Sequence, residues 1–243
     1  RPHRLPFGGT GMRSYLQHTR DPLFGIVVII PLALYYEVSM FLLQRGMESG
    51  IRNAADVMFK RLFESIGFDG PLAGILLFLC LFVITAILKG AHRSKTGIRI
   101  RWKFYPFMLA ESALYAGLLY VLMSFSMNLM AAPALAMSPA DIAYSLGAGV
   151  YEELLFRAIL LQGLLLLAEK LPGNAGIWKA AMLLLTALLF SGAHYPGAAG
   201  DTFAWLTFTA RTLGGLVLGF VYMLRGLGPA VYTHAIYDIF TLL

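Results

Sequence analysis

The chain has 243 residues, of which 58% are hydrophobic and only 13% are charged, and its mean hydropathy is +0.71. Soluble proteins carry about 25% charged residues, so this composition excludes a water-soluble globular protein. The formal net charge of +6 does not indicate nucleic-acid binding, because the basic residues lie between apolar runs and form no surface with interleaved aromatic rings. We expect them to anchor the protein to anionic lipid, and we expect no nucleic-acid partner.

The apolar runs predict an all-α, polytopic bundle of membrane-spanning helices. Backbone groups cannot remain unpaired in lipid, so apolar stretches of about 18 to 25 residues are helices that cross the bilayer. After a basic, poorly ordered tail at 1–21, we predict seven spans, at 22–43, 71–88, 104–130, 141–168, 175–194, 203–224 and 228–243. We divide the chain into an N-terminal membrane region at 1–140 and a second helix core at 141–243.

An amphipathic helix is predicted at 50–67, between the first two spans. Its apolar residues recur at helical spacing, whereas most of its charged residues lie elsewhere around the helix. We expect this helix to lie on the membrane surface. Basic residues also predict the orientation: 1–20 carries four arginines and 89–103 carries six Lys and Arg residues with no acid. The N-terminus is therefore expected on the cytoplasmic side.

Ionisable residues within the predicted spans indicate where function lies. A charged group at the bilayer centre costs about 2.5 to 3.5 kcal/mol even on the lenient insertion scale, so each one needs a physical reason. Glu37 and Glu111, on early spans, have no obvious partner in the sequence. The remainder lie in the last four spans: Glu152, Glu153, Arg157, His194, Arg211, His234 and Asp238.

Helical spacing separates the two adjacent glutamates. Glu153 lies four residues before Arg157, the favoured arrangement for an ion pair along one helix, so we predict a structural role for both. Glu152 is displaced by about 100° around the helix and cannot share the same arginine equally well. We predict that Glu152 faces a cavity and acts as a base.

Two further pairs have the same spacing of four residues. His234 and Asp238 share one helix face, and Phe190 lies one turn before His194. Three helices can thus direct a carboxylate and two imidazoles to one point. Such a set could deprotonate a water with Glu152, positioned with help from His194, while His234 and the group at 238 stabilise the oxyanion of a peptide carbonyl.

Three motifs occur in order along the second half: residues 152–157 fit EExxxR, 190–194 fit FxxxH and 234–238 fit HxxxN/D. This pattern resembles the CAAX-protease and bacteriocin-processing (CPBP, or Abi) family, which includes endopeptidases that trim prenylated CaaX proteins. The resemblance covers about 141–243. It implies a multi-pass protein, which we expect in a bacterial or archaeal inner membrane, that cleaves a membrane-anchored protein near the membrane surface and close to its C-terminus.

The resemblance also implies roles for four residues. Glu152 and His194 take the part of the water-activating pair, and His234 and Asp238 that of the oxyanion hole, in a glutamic-type mechanism that needs no metal or other cofactor. The motif allows Asn or Asp at position 238. An Asn could donate an amide N–H to an oxyanion, whereas an ionised Asp offers only acceptors. Either Asp238 is protonated, or it orients His234.

Two alternatives remain open at this point. Glu152, His194, His234 and Asp238 are of the types that bind zinc, so a zinc-dependent membrane protease is one, although no H-E-x-x-H motif is present. A non-catalytic membrane transporter or immunity protein that uses the same polar pocket is the other.

Overall fold

The computed structural model describes residues 11–43, 53–65, 67–68, 76, 79–80, 83, 100–127, 137–196 and 200–242. All regular secondary structure in these residues is helical, which confirms the all-α class. Most of the predicted span at 71–88 and of the basic stretch at 89–103 lies outside them.

The N-terminal region contains four α-helices in its described part. They are α1 (Met12–Thr19), α2 (Pro22–Leu43), α3 (Ala54–Glu64) and α4 (Tyr105–Met127), the last preceded by a 3₁₀ turn at Trp102–Phe104. The prediction of a poorly ordered tail was wrong for α1. This helix is stabilised by tertiary contacts, since the ring of Tyr15 packs edge-on against Phe104, with ring centroids 5.6 Å apart, and Thr19 is fully buried.

The second half begins with one long helical run, which starts at α5 (Pro139–Glu153), continues as a π-helix at Leu154–Leu161 and ends with α6 (Gln162–Ala168). Ser138 caps its start, because its hydroxyl accepts a hydrogen bond from the Asp141 amide while the Asp141 carboxylate accepts one from the Ser138 amide. The run is followed by α7 (Ala175–Gly192), α8 (Trp205–Arg225) and α9 (Leu227–Thr241). The π-helix starts directly after the two adjacent glutamates, and no local sequence signal predicts it.

Within the described ranges, four helical segments are long and apolar enough to cross a membrane. They are Pro22–Leu43, Trp102–Phe125, Ala175–Gly192 and Trp205–Arg225, and each coincides with a predicted span. The protein is therefore an integral membrane protein. The number of seven spans remains a prediction, since most of 71–88 lies outside the described residues and α5 and α9 have only 15 residues each.

Helix α9 occupies the centre of the bundle. It packs against α2, α4, α5 and α8, and every residue from Leu227 to Ala235 is buried. Gly226 makes the sharp turn from α8 into α9. Its φ of +89° is a backbone conformation that residues with a side chain rarely adopt. Gly149 on α5 lets the two helices approach closely, because a Cβ at this position would lie 2.8 Å from the Cβ of Ala235.

Helix α3 is bound to the bundle by charges rather than merely resting on the membrane surface. Lys60 lies 3.0 Å from a carboxylate oxygen of Glu37 on α2 and 2.8 Å from one of Asp56. Asp56 is fully buried and also accepts a hydrogen bond from the Tyr36 hydroxyl at 2.9 Å. The opposite face of α3 exposes apolar side chains such as Met58 and Leu62, as expected for an interfacial helix.

A second charged pair joins α4 to α8. Arg225 donates two hydrogen bonds to Glu111, from Nε at 2.5 Å and from Nη2 at 2.8 Å. The hydroxyl groups of Tyr15 and Tyr115 also donate to the Glu111 carboxylate. The two early glutamates that lacked a partner in the sequence are thus both paired with distant cations.

The close approach of α5 and α9 can be tested with Gly149→Ala. The added Cβ would meet the backbone nitrogen of Ala235 at 2.9 Å, so we expect the free energy of unfolding to fall by about 1 to 3 kcal/mol. Thermal unfolding in detergent micelles measures this as a lower Tm. Gly163→Ala, on α6 with open space around it, is the matched control and should leave Tm unchanged or slightly raised. Equal Tm values for the two variants would show that α9 does not depend on a small residue at 149.

Candidate active site

The site is built around a carboxylate with no access to solvent. Glu153, at the end of α5, is 0% exposed, and its Oε1 lies 2.9 Å from Nη1 of Arg157 and 2.8 Å from Nδ1 of His234. Arg157 lies in the π-helix, and its guanidinium packs 4.4 Å from the ring centroid of Phe190. One carboxylate therefore binds a cation on its own helix and an imidazole on α9.

This contact determines which nitrogen of His234 faces the site. An ionised carboxylate only accepts hydrogen bonds, so Nδ1 of His234 carries a hydrogen and donates a hydrogen bond to Glu153. The other nitrogen, Nε2, lies 3.6 Å from Oδ2 of Asp238 and 4.0 Å from Oε2 of Glu152. Neither distance is a hydrogen bond. In the imidazolium form Nε2 thus carries an N–H that these two carboxyl groups leave free.

Glu152 faces a different neighbour from Glu153. Its Oε1 accepts a hydrogen bond from Nδ2 of Asn53 at 2.7 Å, and its side chain is 13% exposed. Asn53 is the N-cap of α3, and its side-chain oxygen accepts from the amides of Ala55 and Asp56. The two adjacent glutamates therefore have separate partners, Glu153 with Arg157 and His234, and Glu152 with Asn53.

His194 lies in the turn that follows α7. Its Nδ1 is 2.9 Å from the carbonyl oxygen of Phe190, so this nitrogen donates and Nε2 is left as an acceptor in the neutral ring. The ring of Phe190 makes edge-to-face contacts with both imidazoles, with ring centroids 5.1 Å from His194 and 6.0 Å from His234. Phe190 thus spaces the two histidines.

A cavity of 280 Å³ opens between α4, α7, α8 and α9. His194, His234 and Asp238 line it, together with Arg211 and Tyr237. Glu152 is not among its described lining residues, although it was predicted to face a cavity. The carboxylate lies instead between the His234 ring and Asn53, and Asn53 and Asp238 line a neighbouring cavity of 320 Å³.

The structure brings the four predicted site residues into one region by these contacts. His194, His234 and Asp238 share a cavity wall, and Glu152 lies next to His234. Across the described ranges, no three His, Cys, Asp or Glu side chains have the geometry of a metal site, and this includes the set considered above for zinc.

The sequence analysis missed Asn53 as part of the site. An Asn just before an amphipathic run is a typical helix N-cap, so its capping role could have been found from the sequence. Its contact with a carboxylate 99 residues further along the chain could not.

Comparison with known proteins adds one finding. Residues 135–240 match the model of a protein family described as type II CAAX prenyl endopeptidase Rce1-like. The match includes Glu152, His194, His234 and Asp238, and it leaves out α1 to α4. No curated protein and no solved structure matches the chain.

The buried ion pair can be tested with Arg157→Leu. This change removes the guanidinium from the 0%-exposed Glu153 carboxylate, so we expect a loss of about 3 to 5 kcal/mol in the free energy of unfolding. The double variant Glu153→Gln/Arg157→Leu should recover most of the Tm that Arg157→Leu loses. Lys179→Leu removes the exposed partner of Glu169 and should cost less than about 1 kcal/mol. A double variant as unstable as Arg157→Leu would show that the loss does not come from an unpaired charge.

Proposed function

We propose, from the match of residues 135–240 to the model of Rce1-like type II CAAX prenyl endopeptidases, that this integral membrane protein hydrolyses a peptide bond in a membrane-anchored protein. The observation that carries the proposal is the set of contacts made by the two ring nitrogens of His234. Glu153 holds its Nδ1, and its Nε2 faces both Glu152 and the cavity that contains His194 and Asp238. This arrangement matches the needs of an acyl-group hydrolysis, which are a base for water and a donor for the oxyanion.

In this mechanism Glu152 is the general base. Its carboxylate takes a proton from a water molecule, and the acceptor nitrogen of His194 holds the same water by accepting a hydrogen bond from it. The water oxygen forms a bond to the carbonyl carbon while the C=O electron pair moves to oxygen. As the tetrahedral intermediate collapses, the C–N bond breaks, and the proton held by Glu152 passes to the leaving nitrogen.

His234 stabilises the oxyanion. Its Nε2–H in the imidazolium form is the donor, because Asp238 at 3.6 Å and Glu152 at 4.0 Å are too distant to occupy it. Asp238 supplies a negative charge beside the ring. We therefore assign Asp238 to orientation of His234 through charge rather than to direct donation.

Glu152→Gln and His194→Ala test the catalytic assignment. Loss of a general base or of its partner lowers rates by about 10²- to 10⁴-fold, so we expect kcat to fall in this range for each variant. The assay uses purified protein in proteoliposomes with a reporter peptide that ends in a prenylated CaaX sequence. Glu169→Gln, on an exposed residue after α6, is the control and should cleave at the wild-type rate. Unchanged cleavage by Glu152→Gln would reject a protease at this site and favour a binding or transport role.

Cleavage near the substrate C-terminus is supported by Arg211. Its guanidinium lies in the wall of the 280 Å³ cavity, is paired with Asp201 and lies 5.6 Å from the ring centroid of Tyr195. Its Nη1 is buried and makes no hydrogen bond within the part of the chain that the structure describes. A guanidinium donates strong, charge-assisted hydrogen bonds to carboxylates, so Arg211 is suited to bind the C-terminal carboxylate of a substrate.

Matched substrates test this role of Arg211. Hydrogen bonds to charged groups contribute about 1.5 to 3 kcal/mol, so a reporter with a C-terminal amide should have a KM about 10- to 100-fold higher than the free acid. Arg211→Gln should raise KM for the acid and leave KM for the amide unchanged. Lys179→Gln is the control for loss of a cation outside the cavity. An equal rise in KM for both substrates would assign Arg211 to structure instead.

A further inference from the structure

We propose that Asn53, at the N-terminus of α3, is a positioning residue that holds the Glu152 carboxylate in its catalytic orientation. The inference rests on the proposed function, since it concerns the residue assigned as its base. Asn53 lies outside the segment 135–240 that matches the family model. The contact is a hydrogen bond of 2.7 Å from Nδ2 of Asn53 to Oε1 of Glu152.

The orientation of the Asn53 amide is determined by its hydrogen bonds. Oδ1 accepts from the amides of Ala55, at 2.9 Å, and Asp56, at 3.4 Å, which are donors only. Nδ2 must therefore face Glu152. A flipped amide would lose both capping bonds and would direct an oxygen at a carboxylate.

The backbone of Asn53 is also held in place. Its amide donates to the Tyr36 hydroxyl at 3.3 Å, and the same hydroxyl donates to Asp56 at 2.9 Å. Asp56 in turn binds Lys60, which binds Glu37. Because these groups lie on α2 and α3, the Asn53 side chain is fixed by the packing of two helices rather than by its own loop.

A physical reason for this support is the attraction between Glu152 and His234. The two groups have opposite charge in the proposed mechanism, and Oε2 of Glu152 lies 4.0 Å from Nε2 of His234. A free carboxylate could rotate and close this gap, and it would then occupy the N–H needed for the oxyanion. The Asn53 hydrogen bond holds Oε1 on the opposite side, so it keeps the base and the oxyanion donor apart.

Asn53→Asp tests the inference. Asp caps a helix as well as Asn does, so α3 keeps its N-cap while the N–H donor to Glu152 is lost. A hydrogen bond to a charged group contributes about 1.5 to 3 kcal/mol, so we expect kcat to fall about 10- to 100-fold with KM within about twofold of wild type. Asn53→Ser also keeps a capping oxygen but adds no charge, and it should lower kcat in the same direction.

The control is Asn174→Asp, the same substitution at another helix N-cap. Oδ1 of Asn174 accepts from the Gly176 amide at 2.8 Å at the start of α7, on an exposed surface. This variant should keep the wild-type kcat and KM. A Tm for each variant in detergent separates loss of the cap, which would lower Tm for both Asn53 variants, from loss of the donor, which would change kcat alone.

The outcomes separate this inference from the proposed function. If Glu152→Gln is inactive and both Asn53 variants keep the wild-type kcat, the positioning role is wrong and the protease assignment stands. If both Asn53 variants raise KM as much as they lower kcat, Asn53 acts in substrate binding, and the positioning role is overturned. If Glu152→Gln cleaves normally, both proposals fail together. A fall in kcat for Asn53→Asp and Asn53→Ser but not for Asn174→Asp supports the inference.

Discussion

The carboxylate of Glu153 is fully removed from water, and the rest of the site depends on how its charge is balanced. An unpaired charge in such a place costs several kcal/mol, so the carboxylate must contact a cation. It contacts two groups, Arg157 at 2.9 Å on its own helical run and His234 at 2.8 Å on α9. The second contact requires α9 to lie very close to α5, which the missing side chain at Gly149 permits. Charge balance and helix packing therefore impose the same position on His234.

Glu152 and Glu153 have different surroundings because successive residues of a helix point about 100° apart. Glu153 faces the interior and binds cations, whereas Glu152 faces α3 and keeps a partly exposed carboxylate. The π-helix that begins at Leu154 widens the turn that follows, and such segments often occur at functional sites.

Local features of this fold could be predicted from the sequence, and distant contacts could not. The first span was predicted with the bounds that α2 has, because a largely apolar stretch of 22 residues must form a helix in lipid. The pairing of Glu153 with Arg157 follows from a spacing of four. Three other pairs join residues that are far apart in the sequence. The separation is 23 residues for Glu37 and Lys60, 114 for Glu111 and Arg225, and 99 for Asn53 and Glu152. These pairs depend on which helices become neighbours, and one sequence contains no local signal for that. The same reason explains why α3 was expected on the surface, while its buried face with Asp56 and Lys60 was not foreseen.

In the proposed mechanism Asp238 would act by a different physical route from an Asn. An Asn at this position would donate its own amide N–H to an oxyanion, whereas an ionised Asp cannot. Asp238 instead lies 3.6 Å from Nε2 of His234, a distance at which an ionised carboxylate would attract an imidazolium without occupying its N–H. The carboxyl groups of Glu152 and Glu153 lie around the same ring, so three acidic side chains surround one imidazole. We infer that Asp238 favours the imidazolium form of His234. The charged N–H of that ring is a stronger donor to an oxyanion than an Asn amide would be. In the proposed mechanism Asp238 and Asn53 would therefore support two different groups, Asp238 the oxyanion donor and Asn53 the base.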